Sequence, residues 1–167
     1  MTHALRAPSV PLGLSELAEE FRRLDRQRRE RGLSLGEAGR YHSLFERLSE
    51  VLASGERLRK LDARQFLRVP FRLELTLMRG HGRVAVRCRD FGGGGCAIET
   101  GEPLVVGHDV WLDGATVEGE SVPLRGRAVV AWADPGGYGL RFCLDVAEER
   151  DHIDRLFYRL LDRFLRE

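Results

Sequence analysis

The spacing of apolar residues changes twice along this chain. Apolar side chains recur every three or four positions from residue 14 to 52, every second position from 69 to 142, and every three or four positions again from 153 to 164. The first spacing is typical of one face of an amphipathic helix, and the second of half-buried strands. The order predicts an α+β protein with a helical region, a set of antiparallel strands and a final helix.

The first region is predicted to be a helical hairpin. Gly32 ends the first helix, and Ser34 with Glu37 forms a capping box that begins the second. The short link between the helices leaves room only for a hairpin. The apolar stripes of the two helices are Leu14, Leu17, Phe21 and Leu24 on one and Ala38, Tyr41, Leu44, Phe45, Leu48 and Leu52 on the other. These stripes can be covered in three ways: by packing against each other, by the final helix or by a second copy of the chain. A homodimer through the helices is therefore among the predictions.

The middle region is predicted to be an antiparallel barrel or sandwich. A long strand runs from Val69 to Leu77, and short strands follow, separated by turn signals such as Pro135-Gly136-Gly137. The final helix carries the stripe Ile153, Leu156, Phe157, Leu160, Leu161 and Phe164. The predicted domains are a tail at 1–13, a helical hairpin at 14–58 and a barrel with its C-terminal helix at 59–167.

The composition argues against several classes of partner. There are 27 basic and 26 acidic side chains, so a strong global field for a nucleic-acid polymer or a membrane is not expected. The arginines of the first helix alternate with four acids, which indicates a solvated, ion-paired outer face; the acids are Glu19, Glu20, Asp25 and Glu30. Aromatic residues make up 8% and fall mostly on predicted core faces, which disfavours a barrel that binds single strands by stacking. No apolar run is long enough to span a membrane.

Sequence motifs give no sign of catalysis. No histidine lies within metal-ligand spacing of another histidine or a cysteine, and there is no Gly-x-Ser-x-Gly or P-loop lysine. The chain is therefore predicted to be non-enzymatic, with no metal and no cofactor. Its cysteines, Cys88, Cys96 and Cys143, are odd in number, which favours free thiols, a reducing compartment and a bacterial-type cytoplasm.

The residues that say most about function are two arginines and, further along the chain, an aspartate that precedes four glycines. A spacing of four puts Arg64 and Arg68 on one side in either helical or strand geometry. Arginine suits phosphate and the O6/N7 edge of guanine, and Asp90 can accept from guanine N–H groups. The glycines at 92–95 allow a ligand to approach the backbone. A plain surface ion pair beside a flexible turn explains the same residues, and spacing alone leaves both interpretations open.

These residues resemble the signature of the PilZ domain, Arg-x-x-x-Arg followed after a hairpin by Asp-x-Ser-x-x-Gly. Arg64-x-x-x-Arg68 precedes Val69-Pro70, and the second motif aligns with Asp90-Phe91-Gly92-Gly93-Gly94-Gly95, followed by Cys96-Ala97-Ile98. The resemblance covers roughly residues 60–165. It implies a six-stranded antiparallel barrel that binds the bacterial second messenger cyclic di-GMP.

The resemblance also implies the ligand-binding residues: Arg64, Arg68, Asp90, Gly92, Gly93 and Gly95. The expected function is a signalling protein that binds cyclic di-GMP and relays it to an unknown protein partner. The alternative is a degenerate adaptor that binds no nucleotide. Gly92 stands where the family has serine, which removes a hydroxyl contact worth about 0.5–1.5 kcal/mol. Gly92→Ser is therefore expected to tighten binding, through the restored hydroxyl and a stiffer loop.

Overall fold

The structure, a computed structural model, describes residues 13–53 and 66–166. Within them lie three helices and seven strands. Their bounds are α1 Leu14–Glu30, α2 Leu35–Leu52, β1 Arg68–Val69, β2 Leu73–Arg79, β3 Gly82–Gly92, β4 Gly95–Glu99, β5 Asp109–Val117, β6 Glu120–Asp134, β7 Gly137–Phe142 and α3 Ala147–Phe164.

Six of the strands close into an antiparallel barrel. The order is β3-β2-β5-β6-β7-β4, and β4 pairs back onto β3. The short strand β1 lies outside this ring and pairs with the end of β3, with Arg68 opposite Gly92 and Val69 opposite Phe91. The predicted α+β fold, a six-stranded antiparallel barrel with a helical hairpin and a C-terminal helix, is confirmed.

The strand predicted from Val69 is interrupted. β1 ends at Val69, and β2 begins only at Leu73. Pro70 has no N–H to give to a ladder and fixes its own φ, so it breaks the strand at this point. The Phe71 backbone N–H donates to the Val69 carbonyl at 2.8 Å, which closes a tight turn. As a result β1 separates from β2 and lies against the end of β3.

The barrel core continues into the helical layer. Leu75, Leu112, Leu124 and Leu140 are at most 2% exposed inside the barrel. α3 packs against β6, and Ile153 of α3 lies at Gly126, where a Cβ would be 3.3 Å from the Ile153 side chain. β1 also contacts α3, so the final helix packs against both the barrel and the outer strand.

The helical hairpin docks within the same chain. α1 packs against both α2 and α3, and α2 contacts β1. The main stripe residues are at most 2% exposed: Leu17, Phe21, Leu24, Leu44 and Leu48. Among the described residues the stripes are therefore covered by each other and by α3. A homodimer stays a prediction, as does the division into domains.

One acid predicted for the outer face of α1 is instead buried. Asp25 is 4% exposed and accepts hydrogen bonds from the hydroxyls of Tyr41 at 3.2 Å and Tyr158 at 2.7 Å. It also pairs with Arg28 and Arg29, and Arg29 reaches Asp154 of α3. Burial alone would raise the pKa of Asp25, but the Arg29 charge and the Tyr158 hydrogen bond outweigh it and lower that pKa. We call these residues the Asp25 cluster.

Candidate functional site

The candidate site lies on the outside of the barrel, where β1 meets the β3–β4 turn. Arg68 begins β1 opposite Gly92, and Asp90 lies two residues earlier on β3. The Arg68 Nη1 donates to Asp90 Oδ1 at 3.1 Å. The two side chains are 25% and 17% exposed, so this ion pair is accessible from solvent. Arg64 lies outside the described residues, and its part in the site stays a prediction.

A β-bulge aims Asp90 outward. Cys88 pairs with Ile98 and Asp90 pairs with the next residue, Ala97, so β3 carries one extra residue at Arg89. Cys88 and Phe91 both lie in the barrel core, and the two residues between them turn outward. In an unbroken strand the side chain of residue 90 would share the inward face of Cys88.

The glycine turn is shorter and more tightly packed than the sequence suggests. β3 ends at Gly92 and β4 begins at Gly95, so the turn itself is Gly93-Gly94. A Cβ on Gly92 would lie 2.4 Å from the Leu67 carbonyl oxygen, and one on Gly95 would lie 2.2 Å from the Leu140 carbonyl oxygen. None of the four glycines has a positive φ. Glycine is required at 92 and 95 because the chain's own backbone passes close by.

Phe66 covers this turn. A Cβ on Gly94 would lie 2.3 Å from the Phe66 ring, and one on Gly93 would lie 3.4 Å from it. Phe66 is not among the site residues predicted from the sequence, although its place between Arg64 and Arg68 puts an aromatic ring next to the first motif. A ligand that contacts the Gly94 backbone from this side has to displace the ring.

Two thiols support the site from inside the barrel. Cys88 and Cys96 are buried, and the Cys88 Sγ–H donates to the Asp90 carbonyl at 3.1 Å. Its hydrogen bond with Cys96, together with burial, raises the pKa of the Cys88 thiol well above its ordinary value. Cys88 is therefore a protonated core side chain, and its hydrogen bond connects it to the backbone of Asp90 at the bulge.

Metal binding and membrane spanning find no support in the part of the chain that the structure describes. Residues 13–53 and 66–166 hold no group of three His, Cys, Asp or Glu side chains placed to bind a metal ion. No helix among them has the length and apolar character required to cross a membrane.

Comparisons with known proteins relate this chain to a family. The model of the PilZ domain matches residues 62–159, which is more than half of the chain and includes Arg64, Arg68 and the glycine turn. No curated protein gives a significant match.

Solved structures with a similar fold include three proteins of low sequence identity. The PilZ domain of CeSA from a cellulose-synthesising bacterium is 20% identical over 56% of this chain and 97% of that chain, with a TM-score of 0.47. The inhibitor of motility MotI/DgrA of Bacillus subtilis is 18% identical over 69% and 57%, with a TM-score of 0.49. The PilZ domain of YcgR from Escherichia coli, solved with c-di-GMP, is 14% identical over 59% and 92%, with a TM-score of 0.42.

Proposed function

This chain belongs to the PilZ domain family, whose domains are generally cyclic di-GMP receptors, and from this premise we propose that it binds cyclic di-GMP at the Arg68–Asp90 pair. In this proposal the protein is a non-enzymatic bacterial signalling protein of the cytoplasm. Arg64 and Arg68 contact phosphate and the guanine face, and Asp90 takes the guanine N–H edge. The glycines at 92, 93 and 95 border the ligand.

The observation that carries this proposal is the unused hydrogen-bonding capacity of the Arg68–Asp90 pair. Arg68 has five N–H donors and gives one to Asp90 among the described residues. Only Oδ1 of Asp90 accepts from a side chain there, so Oδ2 has no side-chain partner among the described residues. A guanidinium and a carboxylate that lie side by side and are partly exposed offer donors to a phosphate and an acceptor to a guanine edge.

In this proposal β1 transmits ligand binding to the surface that a protein partner contacts. This strand carries Arg68 and contacts both α2 and α3. A ligand that pulls on Arg68, and that displaces Phe66 from the glycine turn, shifts the supports of the helical hairpin. The resulting change of helical surface is the signal that a partner protein reads in this proposal.

The second candidate is an adaptor that binds no nucleotide. Two observations favour it: Gly92 has no hydroxyl, and Phe66 lies on the turn that a ligand would approach. Its helices then bind a partner in all conditions, and cyclic di-GMP has no effect.

Calorimetric titration separates the two candidates. The full chain is titrated with cyclic di-GMP, with GMP and GTP as controls for guanine and phosphate recognition alone. Saturable binding of cyclic di-GMP that is at least tenfold tighter than that of either control supports the receptor. No heat above dilution at a high micromolar protein concentration favours the adaptor.

A further inference from the structure

A cleft lined by arginines lies between α1 and α3 and shares no residue with the candidate site. Its volume is about 530 Å³, and besides Tyr158 its lining contains one acid, Asp162, and five arginines: Arg22, Arg155, Arg159, Arg163 and Arg166. The whole chain carries 27 basic and 26 acidic side chains, so this excess of positive charge is local. We call this region the arginine cleft.

The arginines that α3 contributes form a regular row. Arg155, Arg159 and Arg163 are four residues apart, so they lie on one side of the helix with about 6 Å of rise between neighbours. In an extended chain, every second side chain points to the same side, at a spacing of about 6–7 Å. The row therefore matches the spacing of an extended segment that carries an acid at every second position.

Two of these arginines already bind acids of this chain. The β5–β6 turn, Glu118-Gly119-Glu120, pairs Glu118 with Arg163 and Glu120 with Arg159. Glu118 has a φ of 50°, in the left-handed region that hairpin turns of this kind usually fill with Asn, Asp or Gly. Its carboxylate nevertheless reaches the arginine row. Both glutamates are exposed, so solvent screens the two pairs and another carboxylate can replace them at little cost.

The rest of the cleft has arginines without an acidic partner. Arg22 and Arg155 are exposed and form no ion pair within residues 13–53 and 66–166. The Arg22 guanidinium lies 4.9 Å from the centre of the Tyr158 ring, a cation–π contact, and the Tyr158 hydroxyl donates to Asp25. The contact holds Arg22 at the cleft, so less conformational entropy is lost when it binds a carboxylate.

We propose that the arginine cleft is the docking site for an extended acidic segment of a partner protein. The β5–β6 turn occupies two of its arginines until that segment binds. The inference does not depend on cyclic di-GMP, since the cleft is separate from the Arg68–Asp90 pair, and it applies to a receptor and to an adaptor.

The surroundings of the cleft favour a short acidic segment over a nucleic acid. The adjoining groove between the same two helices is bordered by acids, among them Glu30, Asp151 and Asp154, which repel a long polyanion. Tyr158 is the one aromatic residue that lines the cleft, and Arg22 covers its ring, so no face is free to stack a base. Carboxylates are also the groups that Arg159 and Arg163 already bind.

The test uses the full chain without cyclic di-GMP and a fluorescein-labelled peptide of alternating glutamate and glycine with blocked ends. Affinity is measured by fluorescence anisotropy. Arg22→Gln/Arg155→Gln is expected to weaken binding about tenfold or more, since each lost guanidinium removes charge-assisted hydrogen bonds. Arg47→Gln/Arg72→Gln removes the same charge from exposed arginines outside the cleft, and this control is expected to stay within about twofold of the wild type.

Removing the chain's own acids is expected to act in the opposite direction. Glu118→Gln/Glu120→Gln releases Arg163 and Arg159 and is expected to tighten peptide binding about 2- to 5-fold. Glu50→Gln/Glu74→Gln changes the net charge equally at exposed positions and is expected to have a smaller effect. The glutamate variant keeps every arginine of the cleft, so it decides the matter if Arg22→Gln/Arg155→Gln does not fold.

Three results would overturn the proposal. The first is that the wild type does not bind the peptide, and the second is that each cleft variant binds it as its matched control does. The third is tighter binding of inorganic polyphosphate or single-stranded DNA than of the peptide, with the same dependence on Arg22 and Arg155, which would make the cleft a site for a phosphate polymer. The receptor proposal stands in all three cases, because its titration uses another ligand at another site.

Discussion

Two groups of aspartate and arginine side chains in this protein form the same kind of ion pair, one buried between helices and the other partly exposed on the barrel. Asp25 is 4% exposed, accepts from two tyrosine hydroxyls and pairs with Arg28 and Arg29. Asp90, whose side chain is 17% exposed, has one side-chain partner, Arg68, among the described residues. The Asp25 cluster has its polar capacity filled by α1, α2 and α3. The Arg68–Asp90 pair has hydrogen-bonding groups without a side-chain partner among the described residues.

The difference separates structural roles from binding roles. A buried carboxylate costs free energy unless hydrogen bonds and an opposite charge offset the loss of water, so the Asp25 cluster has to be complete. A partly exposed pair is stabilised less, since solvent screens it. We therefore expect changes in the cluster to alter folding and changes in the pair to alter ligand affinity.

The largest effect is expected from Asp25→Ala. The substitution leaves the half-buried Arg29 with Asp154 as its remaining counter-charge among the described residues, and it removes the acceptor of two tyrosine hydroxyls. We expect a loss of about 3–5 kcal/mol in the free energy of unfolding, measured by urea denaturation. Asp113→Ala, which removes an acid paired with exposed arginines on β3 and β6, is the control and is expected to cost under 1 kcal/mol. Equal losses of stability in the two variants would contradict the distinction between the buried Asp25 cluster and exposed ion pairs.

Gly92→Ser is expected to have the next largest effect. Its Cβ would lie 2.4 Å from the Leu67 carbonyl oxygen and 2.9 Å from Arg68 Cγ, so β1 has to move. We expect about 1–3 kcal/mol of destabilisation and weaker cyclic di-GMP binding, the opposite of what the family motif alone suggests. Gly101→Ser, with nothing within 4 Å of its Cβ position, is the matched control in thermal unfolding and calorimetry. Tighter binding at unchanged stability would contradict this prediction and would mean that β1 can shift to make room for the serine at little cost in free energy.

A smaller effect is expected from the tyrosines of the Asp25 cluster. Tyr158→Phe removes the shorter, fully buried hydrogen bond at 2.7 Å, and Tyr41→Phe the longer, partly buried one at 3.2 Å. We expect about 1–2 kcal/mol for Tyr158→Phe and less for Tyr41→Phe in denaturant unfolding. The reverse order would show that the Tyr41 hydroxyl, not Tyr158, is the main neutral partner of Asp25.

The smallest effect is expected for the dependence of stability on pH in the acid range. Because the folded-state pKa of Asp25 is lowered, its contribution to stability is present above the unfolded value of about 3.9 and is lost as the pH falls through the folded value. Burial raises the pKa of Asp154, which shares Arg29, and this acts in the opposite direction. The difference between wild type and Asp25→Asn isolates Asp25. We expect that difference to be constant from pH 7 to 5 and to shrink below pH 4.

More of the fold than of the candidate site could be predicted from the sequence, and the reasons are physical. Periodic stripes record burial directly, so the helices and the barrel could be predicted, and Pro70 could have warned that the first long strand breaks. Burial of Asp25 depends on Tyr158, 133 residues away, which no local pattern reports. The outward direction of Asp90 depends on a bulge at Arg89, and the need for glycine at 92 depends on the Leu67 carbonyl, which lies close to it where β1 pairs with β3. Both are properties of strand pairing that residue types alone do not reveal.

Arg68 is the residue through which the central claim is tested most directly, because it holds Asp90 and faces solvent. Arg68→Ala is compared with Arg72→Ala, an exposed arginine four residues further along the chain with no ion pair among the described residues. Both proteins are first checked by thermal unfolding, where we expect neither midpoint to move by more than a few degrees.

Calorimetric titration of these two variants and the wild type with cyclic di-GMP is the deciding measurement. We expect Arg68→Ala to lose about 10- to 150-fold in affinity, corresponding to about 1.5–3 kcal/mol for hydrogen bonds to a charged group, and Arg72→Ala to stay within twofold of the wild type. Equal affinity of Arg68→Ala and the wild type would contradict the assignment of the ligand to the Arg68–Asp90 pair.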